Sequence, residues 1–340
     1  MIHTHTAPAS RLSQRLSQRL SRTALSVALA ATASIGLLSL PQAARAEAPQ
    51  QKVQAPGWYR FMVGSVEVTA LNDGTVDLPV DKLLHAPKGV VAAGLKKHHL
   101  SAPLESSVNA FLINTGSRLV LVDAGAGALF GPTLGKLAAQ LRSAGYQPEQ
   151  VDDIVITHMH ADHVGGLAAQ GQIVFSKATI HADKADADYW LSPANLEAAP
   201  ADKKGFFQGA VASLKPYADA GKLQTFSQDG EVVPGLRAMA THGHTPGHAV
   251  YVVESGGQRL VLIGDLIHVA SVQLASPQVT IGFDSDEPKA RAQRLKLFKQ
   301  LAQDGSLVAA AHFPFPAVGR LRAVGQGYAW DLLNYSSQVK

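Results

Sequence analysis

Residues 157 to 166 read Thr-His-Met-His-Ala-Asp-His-Val-Gly-Gly and place His158, His160, Asp162 and His163 within six positions. Imidazole and carboxylate together form a donor set for divalent metal ions. Side chains two apart on an extended segment point the same way, so His158 and His160 can hold one ion. Once the chain turns into a helix, Asp162 and His163 point elsewhere and can hold a second. The apolar run Ile154-Val155-Ile156 predicts a buried strand leading in, and Val164-Gly165-Gly166-Leu167 leads out to a helix, which puts the four residues at a strand's carboxyl end. Three more candidate donors also follow or interrupt apolar runs. They are His244 in Thr241-His-Gly-His-Thr-Pro-Gly-His248, Asp265 in Ile263-Gly-Asp-Leu266, and His312 in Ala309-Ala-Ala-His-Phe313. Any one of these alone is more often a hydrogen-bonded structural residue than a ligand. Asp123, at a strand end before the glycine-rich Ala124-Gly-Ala-Gly127, could be a catalytic acid or a hydrogen-bonding post. The post is the favoured reading, supporting the metal loop from behind.

The elements that must position these residues follow from periodicity and turn signals. Residues 66–71 alternate as a strand, Asn72-Asp73-Gly74 reads as a turn, and Thr75 to Leu78 completes an opening hairpin. Strands are predicted over 107–113 and 118–122, joined by Asn114-Thr-Gly-Ser117, and a helix over 132–144 with a Gly145 stop. After the motif come a strand at 178–181 and a helix starting near Asp183. The stretch 192–207 reads as a long loop that forms a lid or binding wall. Strands at 236–241, 249–254 and 259–263, a charged helix over 287–303 and a buried strand at 307–311 complete the chain. Strands and helices are mixed, with hairpins in both halves. That favours an α+β architecture of two facing mixed sheets with helices outside.

Residues 1–46 carry Arg11, Arg15, Arg19 and Arg22, an apolar run from Ala24 to Leu40, and Ala44-Arg45-Ala46 ahead of Glu47. This is the pattern of a secretory signal peptide, so an exported protein, periplasmic or secreted, is expected. Residues 47–58 then form a flexible leader, and 59–340 a single domain. The whole chain has a formal net charge of +4, but taking five arginines from its 30 basic residues leaves 25 against 26 acidic ones. A mature chain near −1 lacks the basic face that nucleic acid or an acidic membrane surface requires. The absence of cysteine excludes disulfides and thiolate ligands. The basic cluster Lys96, Lys97, His98, His99 reads as a solvated face.

Taken with the H-x-H-x-D-H stretch, the motifs at Asp123, His244, Asp265 and His312 resemble, in kind and order, those of the metallo-β-lactamase superfamily. The resemblance covers the chain from about Tyr59 onward. It implies an αββα sandwich with a two-metal site at one edge. One ion would be held by His158, His160 and His244, the other by Asp162, His163 and His312, with Asp265 bridging. His248 would stand behind the ligands. Met159 occupies the position of a glutamate in oxygen-reducing diiron members, which points away from redox chemistry and towards hydrolysis.

The phrases Thr75 to Lys82, Ala128 to Gly135, Gly205-Phe-Phe207 and Thr241 to His248 are similar to the methyl parathion hydrolase subgroup, secreted dizinc enzymes related to lactone and aryl-ester hydrolases. The resemblance implies a pocket of Phe130, Trp190, Phe206 and Phe207. Organophosphate-hydrolysing members carry arginine at Leu83, leucine at His268, threonine at Ile281 and leucine at Phe283, plus one more residue around 202–204. These departures imply a flat carbonyl substrate, a dihydrocoumarin-type aromatic lactone or an aryl ester, with weak phosphotriester hydrolysis as a side activity. His268 either contacts substrate or points away. The expected cofactors are two divalent ions, zinc first, with manganese, cobalt or iron able to occupy the same cage. A hydroxide shared between the ions would attack the carbonyl carbon, with Asp265 bridging and Asp162 shuttling the proton. A methyl parathion-type phosphotriesterase is the alternative enzyme reading, and a metal-binding protein without catalysis the non-enzymatic one. Relatives in the subgroup are often homodimers, although nothing in this sequence points to an interface.

Overall fold

Fourteen strands of the computed structural model, which describes residues 48–339, fall into two seven-stranded sheets. The first contains β1 (Trp58–Val63), β2 (Val66–Leu78), β3 (Leu104–Asn114), β4 (Leu119–Val122), β5 (Asp153–Val155), β6 (Thr179–Asp183) and β7 (Leu223–Phe226). The second contains β8 (Gly230–Val233), β9 (Leu236–Ala240), β10 (Ala249–Ser255), β11 (Gln258–Leu262), β12 (Leu307–Ala309), β13 (Val318–Val324) and β14 (Gly327–Leu332). In each sheet the strands lie side by side in chain order. Both sheets are mixed: β4, β5, β6 and β7 run parallel, as do β11 and β12, and the remaining neighbours are antiparallel.

The period-2 rule explains how the sheets face each other. In β4, Val120 and Val122 join the core shared with Val250, Val252, Leu260 and Leu262 of the second sheet. Leu119 and Leu121 point the other way, to a core with the helices Leu137–Ser143 and Lys204–Asp219. The strand is buried on both faces, which is why it reads as an unbroken apolar run. Behind the second sheet the helix Glu287–Asp304 contributes Leu297, Phe298 and Leu301. Its start is set by Asp286, whose side chain accepts from the Lys289 amide, and its end by Gly305 in the left-handed region.

Three sequence expectations need correction. Asn72-Asp73-Gly74 is not a turn: β2 runs unbroken through it for 13 residues with a bulge between Asn72 and Gly74, and the hairpin turn lies at Gly64-Ser65. The bulge turns the Asp73 carboxylate out of the ladder, where it accepts from the amides of Ala126, Gly135 and Leu137 at 2.8–3.0 Å. Those bonds hold 131–136 as loop, so the helix expected from Pro132 begins only at Leu137. The stretch 192–207 is not a loop but a helix, Pro193–Ala198, followed by the first turn of Lys204–Asp219. Ser192 accepts from the Asn195 amide and Pro193 occupies the first turn, a favoured helix start. The signal-peptide reading lies outside the described residues. Among the described residues, no helix is long and apolar enough to cross a membrane.

Candidate metal centre

The parallel strands deliver their side chains to one end of the sandwich. Asp123 directly follows β4, the 157–163 stretch follows β5, and Asp265 and His312 follow β11 and β12. His160 is extended and caps a single helical turn, Ala161–Val164, which carries Asp162 and His163 round to the other side. The turn sits deep because Gly165 and Gly166 press against the loop after β4. A Cβ at either would lie 2.0–2.1 Å from the carbonyl oxygens of Ala124 and Ala126, so only glycine fits.

The structure brings the seven expected donors together in two groups, His158, His160, His244 and Asp265, and Asp162, His163 and His312, and a third group joins His268 to Asp265 and His312. Asp265 faces both. Its Oδ2 lies 3.6 Å from His158 Nε2 and 3.3 Å from His244 Nε2, while its Oδ1 lies 3.2 Å from His163 Nε2 and 3.1 Å from His312 Nε2. His244 Nε2 is 3.1 Å from His160 Nδ1, and Asp162 Oδ2 lies 3.6 and 3.5 Å from the Nε2 atoms of His163 and His312. His158 Nε2, His163 Nε2 and Asp265 Oδ1 are buried without hydrogen-bond partners. Buried polar atoms are rarely left unpaired, and three orphans converging on two points fit a pair of cations.

The electrostatics fit as well. Burial holds His158 and His160 well below the ordinary imidazole range, leaving neutral lone pairs for a cation. Burial also opposes charge on His163 and His244, but nearby carboxylates outweigh it. Asp265, Asp162 and Asp123 hold His163 well above its usual value, and Asp265 with Asp284 pushes His244 up to about 9. The Asp265 carboxyl is held well below its usual range, since the surrounding imidazoles outweigh its burial.

Behind the donors, the rings of His158, His163, His244 and His312 are each oriented by a second contact, that of His158 being the Thr157 hydroxyl at 3.1 Å. Asp123 lies 2.8 Å from His163 Nδ1 and accepts from the amide and hydroxyl of Thr157. It does so at φ +62, a strained conformation for a non-glycine residue. His312 Nδ1 donates to the Ser107 carbonyl at 3.0 Å. His248 accepts from the Asp265 amide at 3.0 Å and pairs with Thr241 Oγ1 at 2.8 Å, which places it behind the cage. Two contributors were missed in the sequence. Asp284 lies 2.8 Å from His244 Nδ1, and Asp186 accepts from the amides of Met159 and Gly247. Burial pushes the Asp186 carboxyl up to about 6. Only the Asp183–Asp186 spacing at a helix start could have drawn attention to it. Replacing Asp123 with asparagine is expected to weaken ion binding and activity by about 10- to 100-fold, because carboxylates that orient a ligand histidine matter on that scale. Metal content against free metal concentration checks this, and an unchanged affinity would refute the orienting role.

Over the donors lies a cavity of ≈ 80 Å³, walled by Val76, Leu78, Phe130, Leu134, Phe206, Phe283 and His268. His268 faces the centre, its Nε2 2.9 Å from Asp265 Oδ2 but outside hydrogen-bond geometry, so both ring nitrogens stay unpaired. Trp190 and Phe207 instead line an adjoining cavity of ≈ 420 Å³ together with Phe206 and Phe283. Leu83 and Ile281, expected in the pocket, line neither. Ile281 is fully buried and pairs with Leu84, and Leu83 packs on the same apolar cluster beneath. A larger groove of ≈ 770 Å³ over Gly127 to Gly135 has Asp73 as its one charged lining residue, and that carboxylate is already committed to three amides.

Residues 104–312 match the model of the metallo-beta-lactamase superfamily, and the chain belongs to that superfamily. Among solved structures it is similar to the hydrolase AbOPH of the beta-lactamase superfamily, with 35% identity, a TM-score of 0.80 and coverage of 84% of this chain and 100% of that one. It is also similar to AidC, a dizinc quorum-quenching lactonase in complex with a product, with 26% identity, a TM-score of 0.75 and coverage of 83% and 99%. An N-acyl homoserine lactonase of Bacillus cereus is 27% identical over 161 residues, 47% of this chain and 56% of that enzyme. The chain thus spans little more than half the length of that curated relative.

Proposed function

We propose that the protein is a two-metal hydrolase that opens aromatic lactones of the dihydrocoumarin type, or cleaves aryl esters, by adding water across the acyl–oxygen bond. The observation that carries this reading is the cavity wall. Apart from the donors and His268 it is made of flat or branched apolar side chains, with no lysine or arginine to meet a charged substrate. The lactonase relatives support the reaction class.

Divalent ions in the cage, zinc first among them, would supply Lewis acidity and acidify a water to a pKa near 7. The protein's own groups do the rest. Asp265, which lies between the two groups of donors, would hold both ions and keep them in register. Asp162, with 20% of its side chain exposed against 3% for Asp265, is the carboxylate able to pass a proton to solvent. Phe206 and Phe283 meet edge-on over the cavity, with ring centroids 6.4 Å apart, and offer an apolar wall for a planar substrate ring to lie against. His268, with both nitrogens unpaired, can hydrogen-bond the ester or phenolic oxygen of the substrate.

A panel of dihydrocoumarin, an aryl acetate, an N-acyl homoserine lactone and methyl parathion tests this, with zinc- or manganese-loaded protein. We expect the aromatic lactone to exceed the phosphotriester in kcat/KM by a wide margin. The opposite order would replace this reading with the phosphotriesterase one, and full turnover after chelation would end the metal mechanism. The signal-like amino terminus supports export.

A further inference from the structure

We propose that Asp186 is a positioning residue that sets the distance between the two loops carrying His158, His160 and His244, and thereby tunes one of the two ion positions without touching the other. The inference rests on reading the cluster as a two-ion site.

Asp186 lies in the short helix Lys184–Trp190 and is 1% exposed. Its Oδ2 accepts from the Met159 amide at 2.9 Å, between the two histidines of the H-x-H segment. Its Oδ1 accepts from the Gly247 amide at 2.6 Å, in the loop that carries His244 and His248. No ion pair to Asp186 is present among the described residues, so neutral donors, chiefly the two amides, accommodate this buried charge. A carboxylate without a counter-ion is a costly way to join two loops. What it offers in return is acceptor capacity at both oxygens, which no neutral side chain of the same size provides.

The loop is pressed onto the helix as far as the backbone allows. A Cβ at Gly247 would lie 2.4 Å from the Asp186 nitrogen and 2.8 Å from Asp183 Oδ1. The neighbours of Asp186 on the same helix face point to the same places. Asp183, three residues earlier, holds His242 Nε2 at 3.0 Å, and Trp190, four residues later, sets its indole edge-on to the His160 ring at 5.3 Å between centroids. One helix thus braces both loops of the first ion position. The second position has its own direct contacts, His163 to Asp123 and His312 to the Ser107 carbonyl, while Asp123 reaches the first position only indirectly, through the Thr157 hydroxyl beside His158.

In Asp186→Asn the side-chain NH₂ must face one of the two backbone donors, so one loop is released while size and shape are kept. The experiment loads the full chain with zinc and dialyses it against graded concentrations of a chelator. Bound zinc per chain is read for wild type, Asp186→Asn and Asp123→Asn. The expected result for Asp186→Asn is a biphasic loss, with one equivalent released at about 10- to 100-fold lower chelator strength than in wild type and the other held as before. Adding cobalt to the stripped variants identifies which site refills. Asp186→Asn should lose the spectrum of the position with His158, His160 and His244, and Asp123→Asn that of the position with Asp162, His163 and His312. Equal weakening of both equivalents, or none, would overturn the inference and leave Asp186 a purely structural residue. If Asp186→Asn does not fold, Gly247→Ala pushes the same loop off the helix with Asp186 intact and is expected to give the same selective loss. A wild-type chain that binds fewer than two ions would overturn the two-ion reading first, a result visible before any variant is compared.

Discussion

Replacing Asp265 with asparagine is expected to cut kcat/KM on dihydrocoumarin by about 10³-fold or more, the scale reached when one preorganised charge-stabilising group is removed from a reacting centre. The reason is geometric. Asp265 meets His158 and His244 with one oxygen, His163 with the other and His312 with both, at 3.1–3.6 Å, so it lies against both groups of donors at once. Asparagine keeps the shape and the main-chain bond to His248 but offers one acceptor oxygen, and its NH₂ turns donor hydrogens towards a cation. The variant should therefore also show reduced metal content, with its unfolding transition in chelator close to that of wild type. Steady-state kinetics beside metal analysis separates the outcomes. Activity above about a tenth of wild type would mean that Asp265 is not the bridge.

Arg294→Met is expected to destabilise the fold by about 2 to 5 kcal/mol, since the carbonyls of Pro277 and Leu266 lose their donor at about 1–3 kcal/mol each, Val279 keeps only its bond from Gln273, and the new side chain's packing recovers part of the loss. Arg294 is 1% exposed and donates to the carbonyls of Pro277, Leu266 and Val279. It ties the helix Glu287–Asp304 to the segment that begins at Asp265 and His268 and returns at Ile281 and Phe283. Gln273 reinforces the same segment, accepting from the amides of His268 and Val269 and donating to Val279. Denaturant midpoints measured with and without metal test this. A loss below about 1 kcal/mol would show that the segment holds itself, since that is the contribution of one ordinary hydrogen bond. Arg294→Lys should recover only part of the loss, because an ammonium cannot reproduce the planar fork that reaches three carbonyls.

The donors were legible because metal binding needs particular side-chain types at fixed local spacing, and H-x-H-x-D-H carries that in six residues. The order of strands and helices followed from apolar periodicity, and with it the two-sheet class. What escaped notice depends on contacts distant in sequence. Asp73 looked like a turn residue because a bulge and a turn favour the same Asn-Asp-Gly chemistry, and only the amides 53 to 64 residues away decide between them. The helix Lys204–Asp219 was obscured by Gly205, Gly209 and Pro216. Gly209 is there for close packing, as a Cβ would meet the Ala161 side chain at 3.1 Å. Asp186 and Asp284 act through a backbone amide and a ring nitrogen brought close by folding, and a solitary aspartate carries no mark of such a partner. Leu83 and Ile281 show the converse: a matching position in a relative does not put a side chain on the cavity wall.

The chain-order arrangement of the strands means that the protein is built as two consecutive halves, divided near Ser227 to Asp229, and the cage is split between them. The first half supplies His158, His160, Asp162 and His163, and the second supplies His244, Asp265 and His312. Neither half holds a full set for either ion. Ions bound there would act as rivets across the seam, adding about 4 kcal/mol to its closure at a free concentration a thousandfold above Kd. Two polypeptides cut at that division would find each other more tightly with a divalent metal ion than without it, and the return of hydrolysis would report their assembly.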